Sequence, residues 1–84
     1  MDIRFTKHVF QKIEFARRLG FDITARQIWF ALAAPECVYV GRDGQSVIHV
    51  SVDDTHIVRI VYKQEAGFIL VVTLYVCRKS RYEK

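Results

Sequence analysis

Proline, glycine and cysteine are all scarce here: 84 residues carry one proline, four glycines and two cysteines. Cys37 and Cys77 stand alone, not in a CxxC pair. A secreted domain this small ordinarily carries several disulfides, so the pattern implies two free thiols in a reducing compartment. Repeats, linkers and low-complexity tracts are missing, which leaves a single domain over residues 1–84. Long apolar runs are missing too. The longest, Phe68 to Leu74, is interrupted by Thr73 and is far too short to cross a bilayer. Met1 to Lys12 holds Asp2, Arg4, Lys7 and Lys12 where a leader would be apolar, so a cytoplasmic location with no membrane partner is expected.

Acidic residues are in the minority, 9 against 13 Lys and Arg, for a net charge of +4. Their placement is informative. Residues 1–26 carry Arg4, Lys7, Lys12, Arg17, Arg18 and Arg26 against Asp2, Glu14 and Asp22. Residues 59–84 carry Arg59, Lys63, Arg78, Lys79, Arg81 and Lys84 against Glu65 and Glu83. The middle has only Arg42 against Glu36, Asp43, Asp53 and Asp54. A fold that joins the two ends would build one positive surface suited to phosphates. Arg17, Arg18, Lys63, Arg78, Lys79 and Arg81 are the residues expected to contact RNA there.

About half of the residues are apolar, enough for a core. Asp2-Ile3-Arg4-Phe5 alternates and reads as a short strand. Thr6 is placed to cap a helix, its hydroxyl accepting from a first-turn amide, with Val9, Phe10, Ile13, Ala16 and Leu19 following at helical spacing. Gly20 suits the left-handed stop. Thr24 and Gln27 have capping-box spacing for a second helix, with Ile28, Ala31 and Leu32 as its stripe, and Pro35 ends it.

Strands follow. Cys37 to Val40 is β-prone, Arg42-Asp43-Gly44 is turn chemistry, and Ser46 to Val52 alternates. Asp53-Asp54-Thr55 turns the chain and Glu65-Ala66-Gly67 turns it again before an apolar strand from Phe68 to Cys77. Matching apolar faces pairs Ile48 with Ile60, Val50 with Val58, and His49 with Arg59. The third turn then sets Tyr62 against Phe68, Arg59 against Val71 and Ile57 against Thr73. The expected fold is α+β: a short first strand and two helices on one face of a four- or five-stranded antiparallel sheet. His49, Arg59, Lys63, Thr73 and Tyr75 share the other face.

No glycine-rich phosphate loop, GxSxG or HExxH is present, and His8, His49 and His56 are scattered. No metal site and no cofactor are expected, and the lack of paired carboxylates argues against a two-metal nuclease. Metal-free chemistry on RNA remains, because RNA supplies its own 2′-OH nucleophile. A histidine can move the proton, an arginine can brace the phosphate, and a tyrosine can stack a base or assist proton transfer. His8, Lys12, Arg59, Thr73 and Tyr75 are of the right types. Each also has an ordinary structural reading, such as an exposed first-turn position for His8 or an ion pair with Asp53 for Arg59.

The order strand, two helices, antiparallel strands resembles the RelE/ParE fold of bacterial and archaeal toxins. Phe5-Thr6-Lys7-His8, Ala34-Pro35-Glu36, Val58-Arg59-Ile60-Val61-Tyr62 and Val71-Val72-Thr73-Leu74-Tyr75 are similar to a small family in that superfamily, which also includes barnase-like and colicin-type nucleases. The resemblance places the family's histidine at His8, a basic position at Lys12, a later helix arginine at Arg17 or Arg18, the strand arginine at Arg59, and its Thr and Tyr at Thr73 and Tyr75. Val76 stands where the family usually has proline, which lets the last strand run on. What the resemblance implies is a metal-independent endoribonuclease of the mRNA interferase type. It would be the toxin of a toxin–antitoxin pair, with RNA, free or on the ribosome, and an acidic antitoxin protein as partners. A non-catalytic nucleic-acid-binding module and a ParE-like inhibitor of a protein target are the alternatives.

Overall fold

The computed structural model describes residues 1–35 and 37–81. Its elements are β1 (Ile3–Phe5), α1 (Lys7–Arg18), α2 (Ala25–Ala33), β2 (Tyr39–Val40), a 3₁₀ turn (Arg42–Gly44), β3 (Ser46–Ser51), β4 (His56–Glu65), β5 (Phe68–Arg78) and a second 3₁₀ turn (Lys79–Arg81). Among the described residues they form an α+β domain with two helices and one five-stranded sheet in the order β1-β5-β4-β3-β2. The sheet is mixed. β1 runs parallel to β5, with Ile3 opposite Ile69 and Phe5 opposite Val71, and this corrects the antiparallel expectation. The reason is connectivity: β1 leads into a helix, and the chain returns to its flank only after the β2–β5 meander.

Local chemistry accounts for three of the four helix ends. Gly20 has φ +92°, the left-handed stop that its lack of a Cβ permits. At the start of α2, Gln27 N–H donates to Thr24 Oγ1 at 3.1 Å and Thr24 N–H to Gln27 Oε1 at 2.9 Å, completing the capping box. α2 ends at Ala33, one residue before Ala34-Pro35. Thr6 departs from expectation. It makes no side-chain cap; its hydroxyl donates to the carbonyl of Val72 at 2.8 Å.

The β3–β4 hairpin has the expected register, Ile48↔Ile60, His49↔Arg59 and Val50↔Val58. The β4–β5 register differs. Glu65 belongs to β4 and pairs with Phe68, so Ala66-Gly67 alone makes the turn, with Gly67 at φ +86°. The ladder then slips at Val61/Tyr62: Tyr62 faces Val71 but Val61 faces Thr73, leaving Val72 as the extra residue of a bulge. Arg59 therefore faces Tyr75, not Val71, and Ile57 faces Cys77, not Thr73.

The core lies between the helices and one sheet face: Val9, Ile13 and Ala16 of α1 and Ile28 and Leu32 of α2 cluster with Ile48, Val58, Ile60, Tyr62, Ile69, Val71 and Leu74. Phe10 and Leu19, expected in the α1 stripe, are exposed. α1 lies over β5 and α2 over β3. No helix of the described residues is long and apolar enough to cross a membrane.

Candidate functional site

Strand alternation puts Arg59 on the face opposite Val58 and Ile60, away from the helices, and there it joins a row running across the sheet. Arg59 Nε–H donates to His49 Nε2 at 3.0 Å, and its Nη1–H donates to the Tyr75 hydroxyl at 2.7 Å. The Tyr39 ring stacks on His49, centroids 4.6 Å apart and planes 27° apart. The guanidinium carbon also lies 5.6 Å from the Tyr75 ring centroid. Four strands thus contribute one residue each: Tyr39, His49, Arg59 and Tyr75. Val47, Ile57 and Val61 are buried on the same face, so the row is set among apolar side chains, where hydrogen bonds are stronger than in open water.

The electrostatics follow from this packing. Burial, and then the Arg59 charge, hold the His49 pKa below its ordinary value. Because Nε2 accepts from Arg59, the imidazole is neutral with its proton on Nδ1. The Tyr39 phenol is pushed the other way, first by its hydrogen bond to Cys37 and its electrostatic interaction with that side chain, then by burial, against an opposing effect of Arg59.

Of the candidate catalytic residues, Arg59 and Tyr75 meet directly. Thr73 sits one register step along the same face, opposite Val61. Lys63, half-buried, is also on it, opposite Leu70. His8 and Lys12 are not brought there. Both ride on α1, whose Val9 and Ile13 pack on the opposite sheet face, so the sheet separates them from Arg59. Tyr39 and His49 belong to the row without having been singled out as site residues. His49 had a signal in its register opposite Arg59, whereas Tyr39 had none beyond its place in a short apolar run.

The remaining basic residues gather elsewhere. Arg17 and Arg18 end α1, each against Glu14, at 3.4 Å and 3.7 Å. Arg78 ends β5 opposite His56, and Lys79 and Arg81 follow in the 3₁₀ turn. His56 packs on Phe21, just beyond α1, with ring centroids 4.9 Å apart. The C-terminal ends of α1 and β5 therefore lie at one end of the molecule. Asp53 staples the loop there: its carboxylate accepts from the amides of Thr55 at 2.8 Å and His56 at 2.7 Å and lies 3.0 Å from His56 Nδ1. Among the described residues, no three His, Cys, Asp or Glu side chains gather in a way that could hold a metal ion.

No protein-family model, curated protein or solved structure matches this chain.

Proposed function

We propose that the chain binds single-stranded RNA on the sheet face turned away from the helices. The observation that carries this reading is the His49–Arg59–Tyr75 hydrogen-bonded row with Tyr39 stacked at its end. A planar guanidinium suits a phosphate, to which it can donate two parallel hydrogen bonds. Tyrosine rings on either side offer stacking surfaces, and a base stacked on an aromatic is worth about 1–3 kcal/mol. Such a platform favours unpaired bases over a duplex, whose bases are already stacked.

Cleavage is the second reading, favoured by the neutral state of His49 beside Arg59. A phosphate that draws the guanidinium away uncovers the His49 Nε2 lone pair. That nitrogen then takes the 2′-OH proton as O2′ bonds to phosphorus, and Tyr75 gives its proton to the departing O5′ as the P–O5′ bond breaks. In this route His49 does the work first assigned to His8. The toxin–antitoxin setting and the RelE/ParE-like relationship rest on the sequence resemblance alone.

The test is fluorescence anisotropy with labelled single-stranded and duplex RNA, together with a cleavage assay on the same single strand, free and on ribosomes. Arg59→Ala is expected to weaken single-strand binding by at least about tenfold, with the fold intact by circular dichroism. If wild type cleaves, His49→Ala removes cleavage and His8→Ala leaves it unchanged. Equal affinity for duplex and single strand, or an Arg59→Ala variant that binds like wild type, refutes the reading.

A further inference from the structure

β3 is an edge strand for part of its length, and Pro35 bars β2 from being extended to cover its last residue. β2 pairs with β3 only at Tyr39↔Val47 and Val40↔Ser46. Continuing that register backward would set Pro35 opposite Ser51. Proline has no N–H to give to a neighbouring strand, and the described ladder stops before it. Val52 N–H bonds toward β4, to the His56 carbonyl at 3.1 Å. In an antiparallel pair the direction alternates, so the N–H and C=O of Ser51 point outward from the sheet. Neither has a partner among the described residues, and Ser51 is exposed.

Two clefts border this stretch. One, about 450 Å³, lies between α2 and the sheet and is lined chiefly by Ile28, Phe30, Ala31, Val50 and Val52, with Asp22 as its charged lining residue. The other, about 350 Å³, lies toward the peeled-away chain at Ala34, Pro35 and Cys37. Both share Ala31, Val50 and Ser51. An open backbone donor and acceptor beside an apolar cleft is what an incoming strand needs: main-chain bonds supply affinity, and alternate side chains fill the cleft.

We propose that the Ser51 edge of β3 takes up an extended segment of a protein partner as an added strand, with apolar side chains at every second position and a basic residue at the end lying over Asp22. Charge selects this occupant over a second copy of the chain. The β3 segment of another copy, Ser46–Ser51, holds no Lys or Arg and continues into Asp53-Asp54, so it brings no cation to Asp22. This surface is distinct from the Arg59 row and does not depend on the RNA reading.

The probe is a short fluorescent peptide of alternating valine and threonine with one terminal lysine, read by anisotropy and by amide exchange at Ser51. The Ser51 amide is expected to exchange rapidly in the free protein and slowly with peptide present. Replacing the lysine by glutamate, or the central threonine by proline, should weaken binding at least about tenfold, since each removes a charge contact or a backbone donor. Ser51→Pro removes the protein's own donor and should do the same. Should that variant misfold, Ala31→Gln, which narrows both clefts from a helix position, provides the second check. The proposal is overturned if no peptide binds, if the lysine and glutamate peptides bind alike, or if Ser51→Pro and Ala31→Gln, each folded, bind as wild type. It is equally overturned if the Ser51 amide is protected at high protein concentration and sedimentation shows a dimer, which would make a second copy the occupant.

Discussion

Asp53 gathers more donors than any other described side chain, and the consequence is measurable. The Thr55 amide holds its carboxyl well down, at about 2, against burial, the next largest effect, and the His56 side chain and amide add to the lowering. A folded-state pKa below the unfolded one means stabilisation that is complete above the ordinary carboxylate range and disappears as the group is protonated in the fold. Urea denaturation of wild type and Asp53→Asn should therefore show a stability gap at pH 5 to 7 that narrows from about pH 4 downward and closes near pH 2. A gap independent of pH would assign the effect to lost neutral hydrogen bonds instead. At this scale the candidate site was half legible. Thr73 and Tyr75, two residues apart beyond the bulge, share the face of Arg59 as alternation requires, whereas Val71, expected opposite Arg59, lies in the core. His8 and Lys12 could not be placed relative to them, since a helix residue's direction depends on which stripe the helix buries, and Val9, Ile13 and Ala16 turn it toward the other sheet face. The His49–Arg59 bond rests on side-chain conformation, which no residue spacing encodes.

Among the elements, β5 carries the one irregularity on which the site geometry depends. Its core-facing residues are Ile69 and Val71, then Leu74 and Val76, a change of phase within one strand. The Val72 bulge absorbs that change and sets Thr73 and Tyr75 on the outer face. Thr6 secures it from the α1 side, with its amide on the Val71 carbonyl at 3.1 Å and its hydroxyl on the Val72 carbonyl at 2.8 Å. Thr6→Val keeps the shape and deletes the hydroxyl donor in a half-buried place. A loss of about 1–2 kcal/mol is expected, read as a fall in melting temperature of several degrees, and an unchanged melting temperature would show that the bulge holds without Thr6. The bulge was not legible beforehand because Ile69 to Leu74 is apolar on both faces apart from Thr73, so alternation has too little contrast to reveal a slip. The β3–β4 register was legible because Ile48, Val50, Val58 and Ile60 contrast with His49 and Arg59. The direction of β1 was not, since three residues alternate alike whichever way the strand runs.

For the whole molecule, the C-terminal ends of α1 and β5, each carrying basic residues, come to one end of the fold. α1 runs along β5 and ends near the same edge, where Phe21 meets His56 and His56 stands opposite Arg78. The cations gathered there are not equivalent. Arg17 and Arg18 each face Glu14, so a phosphate must compete with an existing partner. Arg78 is exposed at the strand end, and Lys79 is tied by its backbone, its amide donating to the Thr55 carbonyl at 2.8 Å. This end lies beyond Tyr75 along β5, so an RNA strand stacked on Tyr75 would reach it within a few nucleotides. Phosphate contacts release counterions and carry no base preference, whereas the Arg59 row would carry stacking. Two variants should therefore fail differently. Replacing Arg78, Lys79 and Arg81 together by alanine should weaken RNA binding at low salt and flatten the plot of log affinity against log salt by roughly one unit per lost contact, while leaving the preference for single strand over duplex unchanged. Tyr75→Ala should leave the salt slope near wild type and erase that preference. Anisotropy titrations at several salt concentrations separate the two. A salt slope unchanged by the triple substitution would place the phosphate contacts elsewhere, and the pairing of Arg17 and Arg18 with Glu14 would then be the contact to break next.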